Sequence, residues 1–349
     1  MAVSKKYGAT LRQFPEKLAS QAPGESDSRP PFGGARRRYF GYPTMSEKTA
    51  RSPRNHGIDA LKLAGSALVV GIHTGFLKET SPLLSHTLVN ALFRLAVTVF
   101  FLASGYHFPR SATPDRVVSW LKRVFWLYIL WSAVYLPWWW PSGKTLLAGY
   151  WHLWYLIALL GAGALLYALR NLPDRSLLRL AAGLFALGLA LQYAGSYHLL
   201  AIAEKKYLFR NALFFGFPFF AGGYLLARSR AIETWATVRA GRFLALGLAI
   251  LILEGILSFR TRETFDLLLG QALAAPALFL LAAKWRPRLA VPADLSTAVY
   301  FLHPLAILAL YRAGWKDGTL LTLAVLALAL LFGSALVVLN RRLPGRIAL

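Results

Sequence analysis

Ten apolar stretches separated by short polar joints run through most of the chain. They cover roughly residues 58–77, 87–108, 120–140, 150–169, 177–197, 210–227, 243–259, 266–284, 294–311 and 319–339. Each approaches the ~20 residues that a helix needs to cross a hydrocarbon core of about 30 Å. Lipid offers the backbone no hydrogen-bond partner, so such stretches predict helices. The alternating pattern of a transmembrane barrel is missing. No internal repeat is visible, and no joint is long enough for a soluble domain. The pattern therefore predicts an all-α polytopic membrane protein with about ten transmembrane helices over residues 56–340.

The ends read differently. Residues 1–55, with PPFGGARRR at 30–38, form a basic extension without an apolar run, which predicts disorder. It lacks the apolar region of a signal peptide. Met45 opens a plainer start, MSEKTARSPRNHGIDALK, so residues 1–44 read as a mis-called start or a dispensable extension. Residues 341–349 form a short tail.

Composition agrees with the pattern. Of 349 residues, 56% are hydrophobic and 15% charged, where a soluble domain carries about 25% charged residues. The net charge of +24 would suggest nucleic acid in a soluble protein. Here Lys and Arg cluster in alternate joints, as positive-inside topology requires, and no nucleic acid partner is expected. About twice as many Lys and Arg residues fall on the side holding Arg51, Arg123, Arg175, Arg239, Arg286 and Arg341 as on the other. Both termini are therefore expected in the cytoplasm. The absence of Cys excludes disulfides, Cys-ligated zinc and an acyl-cysteine mechanism.

Ionisable groups inside apolar spans are costly and mark candidate chemistry. In IDALKLAGSALVVGIHTG, Lys62 and His73 are 11 residues apart, about 20° past three full turns, so they share a face about 16 Å apart. Lys62 falls toward the cytoplasmic end and His73 deeper; a snorkelling Lys and a core His are the structural alternative. FFLASGYHF places Ser104 near the cytoplasmic surface, before the basic pair Lys122–Arg123, a set that suits phosphate groups or simple membrane anchoring. His152 and Trp154 in WHLWYL, with Arg94, Arg210 and Asn211, fall toward the opposite side. Glu254 lies among Leu and Ile and calls for a partner, with Arg94, Arg210 and His73 as candidates. In YFLHP, Pro304 frees a carbonyl one turn earlier, beside His303. The inventory splits by depth into a cationic cytoplasmic set and an outer His–Glu–Asn set suited to taking a proton from a hydroxyl. No metal site is expected. Intramembrane His, Glu and Arg also suit a polytopic transporter or flippase for a sugar or small anion, although paired repeat halves are missing.

IDALKLAGSALVVGIHTG resembles the first helix of the membrane-bound acyltransferase 3 family, which usually carries Arg-x10-His. Lys62 stands at the basic position, a departure that keeps the charge but loses the bidentate fork. FFLASGYHF, SWLKRVFWLY, HLWYL, RNALFFGFPFFAGGYLL, Glu254 and YFLHP follow in family order, across residues 56–340. The resemblance implies transfer of an acetyl group from acetyl-CoA to a sugar hydroxyl. The acceptor would be an exopolysaccharide or lipid-linked saccharide, as in the exopolysaccharide acetylases of xanthan synthesis. It implies His73 as the critical His, with Glu254 to orient it or bind sugar. Lys62, Ser104, Lys122 and Arg123 would bind the donor, and Arg94, His152, Trp154, Arg210, Asn211 and His303 the acceptor. Expected partners are acetyl-CoA, the saccharide, membrane lipids and the polysaccharide synthesis machinery. Acetyl-CoA acts as the acyl donor with no bound cofactor, and the bacterial inner membrane is the expected location. Direct attack and an acyl-imidazole on His73 both stay open.

Overall fold

The computed structural model describes residues 54–108, 114–140, 149–200, 208–343 and 349, all within the unit 53–349. The predicted disorder before residue 54, the Met45 start, and the charges at Arg51, Arg110, Lys144, Lys205, Lys206 and Arg346 lie outside them. The described residues are helical, with no strand among them.

Twelve α-helices account for the fold. They are α1 (His56–Thr74), α2 (Pro82–Thr87), α3 (Leu95–Tyr106), α4 (Pro114–Val134), α5 (Leu136–Trp139), α6 (Trp154–Leu169), α7 (Asp174–Ser196), α8 (Phe217–Arg228), α9 (Arg230–Thr261), α10 (Leu269–Lys284), α11 (Ala293–Arg312) and α12 (Thr319–Arg342). A π-helical turn over Leu88–Leu92 joins α2 to α3, and a second over Ala212–Gly216 opens α8. Seven segments are long and apolar enough to cross a membrane: 82–106, 114–134, 151–169, 174–196, 230–261, 293–312 and 319–342. The apolar helices over 212–228 and 269–284 are shorter. The chain is thus a multi-pass membrane protein. Leu253, Leu320, Leu331 and Phe332 are exposed on α9 and α12, as lipid-facing side chains would be.

The helix α1 lies at the centre, touching α3, α10, α11 and α12. Its position explains its composition: Gly57, Gly65, Ser66, Gly71 and Thr74 are small, and none is exposed on the outside of the bundle. Asn55 starts it, accepting from the N–H groups of Gly57 and Ile58.

Two expectations change here. The joint expected over 228–242 is helical: α9 starts after the single linking residue Ser229, with Arg239 stacked over Trp235 at 4.9 Å. At about 48 Å this helix is longer than a bilayer core, so its basic first turns need no apolar surroundings. FFLASGYHF is also more than a helix stop. A Cβ on Gly105 would run into the Phe220 carbonyl, and one on Gly223 into that of Leu102. These two glycines let α3 and α8 cross backbone to backbone.

Candidate active site

Two cavities lie along α1, at opposite ends of the Lys62–His73 face. The first, with about 60 Å³ of water-accessible space, is lined by His73, Arg94, His152, Trp154, Arg210, Asp266 and Tyr300 with apolar neighbours. The second, with about 170 Å³ of water-accessible space, is lined by Lys62, Ser66, Ser104, Tyr155, Ser296, Thr297, Tyr300 and apolar residues of α3, α4, α6 and α11. Tyr300 lines both, and its hydroxyl donates to the His152 carbonyl at 2.7 Å.

The first cavity is built around an aromatic and imidazole cluster. The His73 ring stacks on Trp151, with centroids 5.8 Å apart and planes 3° apart, and lies 5.4 Å from His303. Trp151 adopts φ +45°, a strained value for a bulky residue, where the chain turns into the short 3₁₀ segment Trp151–Leu153. His152 is 2% exposed, and neither of its ring nitrogens has a hydrogen-bond partner among the described residues.

Opposite stands an ionic centre. Arg94 and Arg210 both donate to Oδ1 of Asp266, at 2.5 and 2.6 Å, and Asp266 is 6% exposed. Two guanidiniums on one carboxylate leave a net positive charge facing the cavity. Each arginine sits beside a π-helical turn, Arg94 after Leu88–Leu92 and Arg210 before Ala212–Gly216. Such turns often occur at functional sites.

Asp266 is held by its backbone. The Gln192 side-chain oxygen accepts the N–H groups of Asp266 and Leu267 at 2.8 and 3.0 Å. That of Gln271 accepts from Leu268 at 3.2 Å. Glu254 accepts from Leu269 and Gly270 at 2.7 and 3.1 Å, and from the Tyr193 hydroxyl at 2.8 Å. Five consecutive N–H groups are thus capped by side chains, including the orphan donors that open α10.

Lys62 and Ser104 thus line one cavity, and His73, Arg94, His152, Trp154 and Arg210 line the other. Three placements differ from expectation, those of Glu254, Asn211 and His303. Glu254 lines neither cavity; its carboxylate caps α10, and Asp266 takes the arginines expected to pair with it. Asn211 also caps, accepting from Leu213 and Phe214 at 2.8 and 2.9 Å. His303 is fully buried behind the cavity wall. Lys122 and Arg123 lie on the exposed face of α4, which turns Val124 and Leu127 into the second cavity instead. Asp266, Gln192, Trp151 and Tyr300 were missed. The signal for Asp266 was an acid opening the apolar run 266–284.

The acyltransferase-domain family matches residues 55–339. Among curated proteins, an amino-acid racemase of Enterococcus faecalis is 25% identical over 342 residues, covering 83% of this chain and 47% of the relative. A serine/alanine racemase of Enterococcus gallinarum is 27% identical over 294 residues, covering 73% of this chain and 41% of the relative. The chain thus spans less than half the length of these relatives. No solved structure matches it. The family match covers α1 through nearly all of α12, including both cavities, and the chain belongs to the acyltransferase 3 family of membrane acyltransferases.

Proposed function

We propose that this membrane acyltransferase moves an acetyl group from acetyl-CoA to a sugar hydroxyl of an exopolysaccharide or lipid-linked saccharide. In this reading it sits in a bacterial inner membrane with both termini cytoplasmic and works beside the polysaccharide synthesis machinery. The observation that carries it is the pair of cavities meeting at Tyr300, one holding His73 and the other Lys62. The second cavity takes the pantetheine arm, with Lys62 and Ser104 along it. The phosphates stay outside, toward Lys122 and Arg123 on the exposed face of α4.

The first cavity takes the acceptor. Trp154 offers an apolar face to a sugar ring, and Arg94, Arg210 and Asp266 offer donors and an acceptor to its hydroxyls. Neutral His73 removes the proton of one hydroxyl as its oxygen attacks the thioester carbonyl. The new C–O bond forms, the C–S bond breaks, and the thiolate leaves with the proton. The racemase names belong to relatives of which more than half lies outside the match, so racemisation is not carried over.

The test supplies [¹⁴C]acetyl-CoA to membranes carrying wild-type protein or His73→Ala and counts label in the saccharide fraction. Label in wild type that disappears with His73→Ala is expected. Equal label in both sinks the role of His73. No label in either with native saccharide present favours the transport reading, which predicts saccharide counterflow without CoA.

A further inference from the structure

We propose that His303 is the positioning residue of His73: its own proton is pinned by the local backbone, and its free lone pair accepts the inward N–H of His73. The inference rests on the reading of His73 as the proton acceptor.

Pro304 has no N–H, so the carbonyl four residues earlier, that of Tyr300, has no helical donor. Nδ1 of His303 lies 2.7 Å from that carbonyl oxygen. A carbonyl can only accept, so Nδ1 carries the hydrogen, and Nε2 of the neutral ring is a bare lone pair. This Nε2 is buried, with no hydrogen-bond partner among the described residues. An unpaired buried polar atom is costly, so what stands beside it matters.

Two imidazoles do. His73 lies 5.4 Å away by ring centroids, with planes 29° apart, and His152 lies 5.2 Å away, with planes 61° apart. Both line the first cavity, but of the two only His73, on α1, feels the charges of Arg94 and Arg210, and Trp151 covers one of its faces. The two rings are stacked in this structure, and a turn of the His73 ring or one bridging water joins its N–H to Nε2 of His303. The hydrogen bond at one imidazole nitrogen sets the state of the other. With its inward nitrogen protonated, His73 presents a lone pair to the cavity. When that lone pair takes the hydroxyl proton, His303 steadies the imidazolium through the inward N–H and exchanges no proton itself.

Two amides separate the functions of the His303 ring. His303→Asn keeps a donor near Nδ1 for the Tyr300 carbonyl but does not reach the Nε2 position. His303→Gln reaches that position and can present an oxygen to His73. The first readout is the rate at which diethyl pyrocarbonate modifies His73 in the full chain in detergent micelles, scored by peptide mass spectrometry. It needs neither donor nor acceptor. His303→Gln is expected within about twofold of wild type, and His303→Asn slower by about tenfold. Equal rates in the two variants, or a faster rate for Asn, overturn the proposal.

The second readout is [¹⁴C]acetyl transfer by membranes carrying the same proteins. A Gln–Asn difference in modification without wild-type transfer removes the acetyl-transfer reading and leaves the role of His303 standing. Transfer that depends on His73, with no Gln–Asn difference, does the reverse. Should neither variant fold, Pro304→Ala restores an N–H to the Tyr300 carbonyl and frees Nδ1. A modification rate several-fold slower is then expected, and an unchanged rate overturns the proposal.

Discussion

The side-chain oxygen of Gln192 accepts the backbone N–H of Asp266 at 2.8 Å. This contact comes from α7, and Glu254 braces the same segment from α9 three residues later. Gln192 is distant from Asp266 in sequence and Glu254 stands one helix earlier, and both help fix where its carboxylate meets Arg94 and Arg210. Gln192→Leu removes the oxygen and leaves two buried N–H groups unpaired. It is expected to destabilise the protein by about 1–3 kcal/mol for each unpaired group. A lowered melting temperature in detergent, with activity falling in step, is the expected pattern.

Glu254→Gln tests whether this carboxylate is a brace or a chemical group. A brace predicts a loss of roughly 1–3 kcal/mol from weakened charge-assisted bonds to Leu269 and Gly270. The protein remaining folded keeps its specific activity. Inactive protein with wild-type thermal stability would return Glu254 to the chemistry.

Asp266→Asn leaves two partly buried guanidiniums facing each other without a carboxylate. Breaking such a centre from one side costs about 3–5 kcal/mol. Removing one charge as well, in Asp266→Asn with Arg94→Gln, is expected to recover part of the loss. A double-mutant cycle on stability gives the coupling, and strictly additive losses would contradict the shared oxygen.

Much of this arrangement was legible in the sequence. Apolar runs located the helical segments, and the 11-residue spacing put Lys62 and His73 on one face, where the two cavities lie. Azimuth and partners were not legible. The sequence gives Glu254 a depth similar to His73, but nothing in LILEGIL says that its carboxylate turns toward α10. Lys122 and Arg123 precede Val124 by one or two residues, which is enough on a helix to separate an exposed face from a cavity wall. Asp266 escaped attention because its partners come from distant segments. The basic stretch 230–242 lacks an apolar run, so its helix was missed.

Gly105→Ala and Gly223→Ala each place a methyl group against a backbone carbonyl at the α3–α8 crossing. Overpacking costs about 1–3 kcal/mol when side chains can yield, and a carbonyl yields less readily. Low yield of folded protein is expected from either variant. Gly183→Ala, where a Cβ would meet nothing within 4 Å, is the control expected to behave as wild type.

Tyr300 belongs to the walls of both cavities, so the donor and acceptor chambers of the proposed reaction share one aromatic residue. A wall this thin between two chambers changes the mechanical problem. A solute carrier must swing whole helices to expose a site on each side in turn. Here a phenol is the shared wall, so in the proposed reaction a small group passes from one chamber to the other while α1 and α11 stay still. The same economy makes Tyr300 the point of leakage: a smaller residue there would let water reach from one chamber into the other.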